Sequence, residues 1–245
     1  MKKQTEKMKK QPENIFDKYG DEPTIMDAIE HKKQTEREIE HKKANNLWLS
    51  VGASNHTSSE RQVEDFYATD KTAVDRLMFS KKEYAPDKDA VIWECAVGNG
   101  VLAERLQGFG YTVVGSDLVD RSNGKYPVAD FLKTKREDDD SKLCIFTNPP
   151  YSVATNFVKH AVEMLKPGER CYMLLRTLFL EGQKRQKELF QNPNIQLAYV
   201  LQFGKRINCR KNGIDNGTAG AQAYAWFVFE KPVDGKKKPT IVDWI

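Results

Sequence analysis

The apolar run Leu143-Cys144-Ile145-Phe146 ends at Asn148-Pro149-Pro150, and this junction constrains the fold more than any other stretch. Prolines donate no ladder hydrogen bond, so the pair cannot lie inside a sheet. The run is therefore a short buried strand, and the prolines make a stiff turn at its C-terminal end. Open α/β sheets place their ligands at that end of their strands. Tyr151 and Ser152 follow directly. Asn148 brings a side-chain carbonyl and Pro149 a main-chain carbonyl, two acceptors able to grip both hydrogens of an exocyclic amino group. Tyr151 offers a face on which a flat base can stack. A plain strand-capping turn uses the same residue types, so the turn needs support from the rest of the chain.

That support begins upstream. Val91-Ile92-Trp93-Glu94-Cys95-Ala96 reads as a buried strand, and it runs through Val97-Gly98-Asn99-Gly100 into a helix over Val101–Gln107. A strand, a Gly-x-Gly turn and a helix form a nucleotide-type turn, with Gly98 and Gly100 letting a ligand approach the backbone. The pattern is neither the Gly-x-Gly-x-x-Gly of dinucleotide folds, since position 103 is Ala, nor a phosphate-binding P-loop. A second strand, Thr112–Ser116, ends at Asp117, where α/β nucleotide folds place an acid for ribose hydroxyls. Tyr126–Ala129 reads as a third strand, followed by Asp130-Phe131-Leu132. Helices are expected over Thr72–Phe79, over Ala154–Leu165, and from Gly182 to near Asn192. Further strands are expected over Cys171–Arg176, Leu197–Phe203 and Ala223–Glu230. Alternation of strand and helix through residues 63–230 predicts an α/β fold, a doubly wound sheet with helices on both faces.

Asn148-Pro149-Pro150-Tyr151 resembles the catalytic tetrapeptide of the class I S-adenosylmethionine-dependent amino-methyltransferases, which modify adenine N6, cytosine N4 or glutamine N5. Glu-x-Ala-x-Gly-x-Gly at 94–100 resembles the same family's glycine motif. Phe66-Tyr67-Ala68-Thr69-Asp70 resembles its cofactor-contacting segment, with Asp70 where the family usually has Pro. The stretch from Arg176 to Arg185 resembles phage and prophage members. The resemblance spans residues 63–230. It implies a seven-stranded Rossmann-like sheet whose last strand is antiparallel, and S-adenosyl-L-methionine as cofactor. It implies cofactor contacts at Tyr67, Thr69, Glu94, Gly98, Gly100, Asp117, Asp130 and Phe131, and a catalytic turn of Asn148, Pro149, Pro150 and Tyr151. The activity implied is methyl transfer by direct in-line displacement, with adenine N6 in DNA the favoured target. Cytosine N4, RNA adenine, protein glutamine and a catalytically silent binding protein of the same fold stay open.

The 245-residue chain is expected to hold one methyltransferase domain, residues 61–233, between a charged N-terminal extension, 1–60, and a basic C-terminal tail, 234–245. Met1–Gln11 is charged and almost without apolar residues. Thr24 can cap a short helix from Ile25, read as part of a solvated extension rather than a docking arm. No apolar run approaches the roughly 18 residues of a membrane span. No secretory leader is evident, so the cytosol of a bacterium or a phage-infected host is expected. The four cysteines are widely separated, which argues against a disulfide framework or structural zinc, and no metal is expected. The net charge of +4 permits a nucleic-acid partner. Lys205, Arg206, Arg210 and Lys211 lie in the long segment Gly204–Gln222 and can neutralise phosphates; a solvated loop is an equal reading.

Overall fold

The computed structural model describes residues 67–136, 140–207, 209–211 and 222–245. The N-terminal extension, including the Thr24 cap, and the centre of the Gly204–Gln222 segment lie outside the described residues.

Strands form where apolar runs are long enough to be buried on two faces. These are β2 (Val91–Glu94), β3 (Thr112–Gly115), β4 (Leu143–Thr147), β5 (Arg170–Arg176), β6 (Gln196–Gln202) and β8 (Tyr224–Glu230), with β9 (Ile241–Trp244) at the C-terminus. They make one seven-stranded sheet in the order β3-β2-β4-β5-β8-β6-β9. Its pairs are parallel except those of β8, which runs antiparallel to both β5 and β6. Along β4 and β8 side chains alternate between two cores. On β4, Ile145 joins one core, while Cys144 and Phe146 join the other. On β8, Ala225, Phe227 and Phe229 oppose Tyr224, Trp226 and Val228. The first core is covered by α3 (Ala154–Met164), through Phe157, Val158, Ala161 and Val162. The second is covered by α1 (Thr72–Met78) and α2 (Val101–Gly108), through Val74, Leu77, Leu102 and Leu106. Helices therefore lie on both faces, as the doubly wound expectation requires.

From β2 the chain crosses to β3 on one side, then returns to β4 on the other. The strand order reverses between β2 and β4, and such a reversal opens a crevice at the C-terminal strand ends. Glu94 and Asn148 stand on either side of it.

Several elements depart from expectation. The third strand is reduced to a single parallel bridge, Asp117 to Val128. Pro127 and the following Asp130 cap leave no run of donors for a ladder. The seventh place in the sheet is filled instead by β9, so part of the basic C-terminal tail belongs to the sheet. Lys236–Lys238 are exposed, but Ile241–Trp244 pairs with β6, and Asp243 accepts hydrogen bonds from Lys81 Nζ (2.5 Å) and Tyr84 Oη (2.6 Å). The segment Gln183–Arg185 continues as a π-turn, Gln186–Phe190. A two-residue ladder pairs β1 (Tyr67–Ala68) with β7 (Arg210–Lys211), which organises one end of a segment expected to be a plain loop.

The charged stretch 133–142 also contains a buried ion pair. Arg136 grips Glu169 with both Nη atoms, the Nη2 contact being 2.9 Å. Glu169 also accepts from the amides of Leu143 (2.9 Å) and Lys166 (2.6 Å), and the two side chains are 8% and 6% exposed. The pair fixes the entry to β4. Removing one partner strands a buried charge. Arg136→Ala is expected to destabilise the fold by about 3–5 kcal/mol, read as a lowered midpoint in urea unfolding with little change in slope.

Candidate active site

The C-terminal ends of β2, β3 and β4 enclose a cleft of about 270 Å³. Its wall is mostly apolar, with Ala96, Val97, Leu102, Leu118, Leu132 and Phe157 contributing, and carboxylates enter at three points: Glu94, Asp117 and Asp130.

Glu94 ends β2 and is 1% exposed. Its Oε1 accepts from the Ala96 amide at 3.2 Å, while Oε2 is buried with no hydrogen-bond partner among the described residues. Burial pushes its carboxyl up to about 8, eased by the neighbouring Thr147 hydroxyl and the Ala96 amide and reinforced by the charge of Asp117. A buried acid with an open oxygen suits a donor or cation arriving in the cleft.

Asp117 follows β3. Its Oδ2 accepts from the Gly98 amide (2.8 Å), and its Oδ1 from the Val119 amide (3.0 Å) and Arg121 Nη1 (3.1 Å). Burial raises its pKa, and these donors counter the effect. Asp117 therefore fastens the glycine turn to the second strand end as well as lining the cleft. Arg121, which also lines the cleft, was not expected there. Its spacing of four residues from Asp117 is the only sequence signal that pointed to it.

The glycine turn has a structural role of its own. Gly98 (φ 54°) and Gly100 (φ 89°) are left-handed, but the turn presents Val97, Asn99 and Val101 to the cleft. A Cβ on Gly100 would lie 2.9 Å from the Tyr126 ring, and one on Gly115 2.6 Å from it. The space these glycines leave is filled by Tyr126, which packs between the glycine turn and β3.

Asp130 lines the cleft and caps the following turn, accepting from the Leu132 amide at 3.1 Å, with Lys133 Nζ at 3.3 Å. Phe131 reaches the cleft from an aromatic cluster, its ring centroid 4.7 Å from Phe157 and 5.3 Å from Trp93.

The Asn-Pro-Pro-Tyr turn divides two spaces. Asn148, Pro150 and Val153 line the cleft. Tyr151 instead lines a smaller pocket with Ala154, Leu175, Arg176, Phe179 and Arg185. Arg176 ends β5, and its guanidinium lies 4.8 Å from the Tyr151 ring centroid; the Tyr224 ring lies at 5.9 Å. Pro149 is buried between these spaces. Asn148 Nδ2 donates to Thr69 Oγ1 at 2.8 Å, so the segment after β1 closes over the turn.

Of the expected nucleic-acid contacts, Lys205 and Arg206 are exposed. Arg210 and Lys211 form β7, whose backbone pairs with Ala68 and Tyr67 beside Thr69. The segment therefore arrives at the rim of the cleft. Cys95, Cys144, Cys171 and Cys209 are free thiols. Among the described residues no His/Cys/Asp/Glu group is arranged to hold a metal ion, and no helix is long and apolar enough to cross a membrane.

No protein-family model matches this sequence, and no curated protein matches it either. Among solved structures, the chain is similar to a SAM-dependent methyltransferase from Anabaena variabilis (11% identity, TM-score 0.45, 71% of this chain and 91% of that one). It is also similar to a TehB-like SAM-dependent methyltransferase from Corynebacterium glutamicum (13%, 0.42, 82% and 98%). A third is the M protein of the type I restriction enzyme EcoKI (14%, 0.43, 64% and 44%). At these values the likeness bears on neither site nor substrate.

The Glu94 environment makes stability depend on pH. Its folded pKa is raised to about 8, above the ordinary carboxylate value. The folded state therefore holds a proton that the unfolded state has released. The contribution is fully present below about pH 4.5 and is lost as pH rises towards 8, at up to about 1.4 kcal/mol per pH unit. Glu94→Gln removes this dependence. In thermal melts the variant should gain on the native protein between pH 5 and pH 8; parallel pH profiles would refute the assignment.

Proposed function

We propose that the protein is an S-adenosylmethionine-dependent methyltransferase acting on an exocyclic amino nitrogen, with adenine N6 in DNA as the favoured target. The observation that carries this reading is the position of the Asn148-Pro149-Pro150-Tyr151 turn. It stands at the end of β4, between an acid-lined cleft and a separate pocket built from Tyr151 and Arg176. A reaction joining two bound molecules is served by two adjoining spaces that meet at one rigid turn, which can hold the reacting atoms in line.

The cleft fits the cofactor. The open oxygen of Glu94 suits the cationic amino-acid end, Asp117 the ribose hydroxyls and Asp130 the amine of the adenine ring. Phe131, Leu118 and Leu132 supply apolar surface for that ring. When bound, S-adenosylmethionine supplies an electrophilic methyl group for direct displacement by the amine.

The protein's own part is positioning. Asn148 Oδ1 and the Pro149 carbonyl accept the two hydrogens of the target amine, drawing its lone pair out of conjugation and aiming it at the cleft. The turn is stiff, so this geometry costs little to reach. Tyr151 provides the stacking surface for a base taken out of the helix. The backbone of β7, which carries Arg210 and Lys211, pairs beside Thr69, and Lys205 and Arg206 are exposed, which supports these basic residues as contacts for phosphates.

Tritiated methyl transfer to unmethylated DNA, RNA and protein, with nucleoside analysis, tests the reading. N6-methyladenine in DNA is expected. Label in RNA or protein would keep the chemistry and replace the target, and no transfer to any substrate would overturn the proposal. Asn148→Ala is expected to lower transfer about 100-fold or more while leaving cofactor affinity, measured by calorimetry, nearly unchanged.

A further inference from the structure

We propose that Thr69 is a positioning residue for Asn148, and that the β1–β7 ladder ties the basic target-side segment to the turn that grips the amine. The inference rests on the methyltransferase reading above.

A primary amide carries a donor group and an acceptor on opposite sides. Asn148 commits its Nδ2 to Thr69 Oγ1 at 2.8 Å. That contact selects one of the two amide orientations and turns Oδ1 away from Thr69. The opposite orientation would present N–H groups to a substrate amine, whose own hydrogens need acceptors. With the Thr69 hydroxyl serving as the acceptor, the turn presents Oδ1 rather than Nδ2 on the side away from it.

Thr69 can do this because it is held from both sides. The preceding Ala68 pairs with Arg210 across the ladder. The following Asp70 accepts from the Thr72 amide at 2.9 Å and so starts α1. One residue into α1, the carbonyl of Ala73 accepts from the buried Trp226 Nε1 at 2.9 Å, which pins the helix start to β8. On the other strand of the ladder, Cys209 precedes β7 and packs against the same buried cluster as Tyr151. Both flanks of the ladder thus reach the catalytic turn, Thr69 at Asn148 and Cys209 beside Tyr151. A substrate that engages Arg210 and Lys211 engages the strap that orients the amide.

Thr69 also lines the cleft, where a direct contact with the cofactor is the competing role. The two roles separate kinetically. In full-length protein assayed on DNA, Thr69→Val keeps the shape and removes the acceptor. It should lower kcat about 10- to 100-fold with the Kd for S-adenosylmethionine changed less than about 2-fold. Thr69→Ser restores the acceptor and should recover most of kcat. Thr69→Ala provides a second hydroxyl-free variant should Val disturb folding, which a thermal midpoint reports. The inference is overturned if hydroxyl-free variants match the native kcat, if their defect lies in cofactor Kd alone, or if Ser is as poor as Val. A native protein that transfers no methyl group sinks the parent reading, and this one with it. A native protein that is active beside an equally active Thr69→Val sinks this one alone.

Discussion

The burial of the central strands on both faces sets the terms for everything else. Along β4, β5 and β8 the mid-strand side chains face one core or the other, so a polar group there needs a partner reached across the core, as Trp226 Nε1 finds in the Ala73 carbonyl. Buried polar side chains are accordingly displaced to strand ends. Glu94, Ser116, Asp117 and Thr147 lie at or just past C-terminal ends, while Glu169 and Gln196 lie at or before N-terminal ones. The two groups differ in use. At the N-terminal ends the polar atoms are spent on structure: Glu169 closes on Arg136, and Gln196 accepts from the Lys238 amide. At the C-terminal ends Glu94 and Asp117 line the cleft and Glu94 keeps an oxygen open, while the Ser116 hydroxyl accepts from Trp93 Nε1. The topology, by reversing between β2 and β4, puts that open oxygen opposite Asn148.

The electrostatics of the cleft follow from the same geometry. The charge of Asp117 adds to Glu94's cost of ionisation in a site where burial has already raised both acids. Arg121 and the amides of Gly98 and Val119 offset this for Asp117, so Asp117 carries a structural load even without a ligand. Glu94 has a single amide. The cleft is therefore asymmetric, with one acid already held and one waiting for a positive or donating group.

Much of this was legible in the sequence because it depends on local chemistry. Apolar runs, a Gly-x-Gly turn, an acid after the second strand and a double proline each act within a few residues, and each sits where that chemistry predicts. The remainder depends on contacts between distant residues. Nothing local distinguishes Gly100 as a seat for Tyr126 from Gly100 as a seat for a ligand. Arg136 sits in a charged stretch that reads as surface, and only the position of Glu169, 33 residues later, buries it. Tyr126–Ala129 has strand-like composition but only a single bridge. The unremarkable Ile241–Trp244 fills the sheet's far edge because β6 leaves that edge unpaired. The β1–β7 ladder joins residues about 140 apart and leaves no trace in either segment.

The division of space at the Asn-Pro-Pro-Tyr turn accounts for the use of a stiff double proline there. Asn148 and Pro150 face the cleft, Tyr151 faces the pocket with Arg176, and Pro149 is buried between them. A flexible divider would let either chamber deform when the other filled, and the separation between the molecules in the two chambers would vary with it. A double proline fixes two consecutive φ angles, so the two chambers keep their spacing whichever fills first. The turn is held from below by β4, paired to β2 and β5, and from above by Thr69. Its side chains can therefore differ in function while its backbone has one conformation. For the proposed reaction, this is the condition for an acceptor amine and a methyl donor to meet within about 3–3.5 Å without either being carried by a moving part.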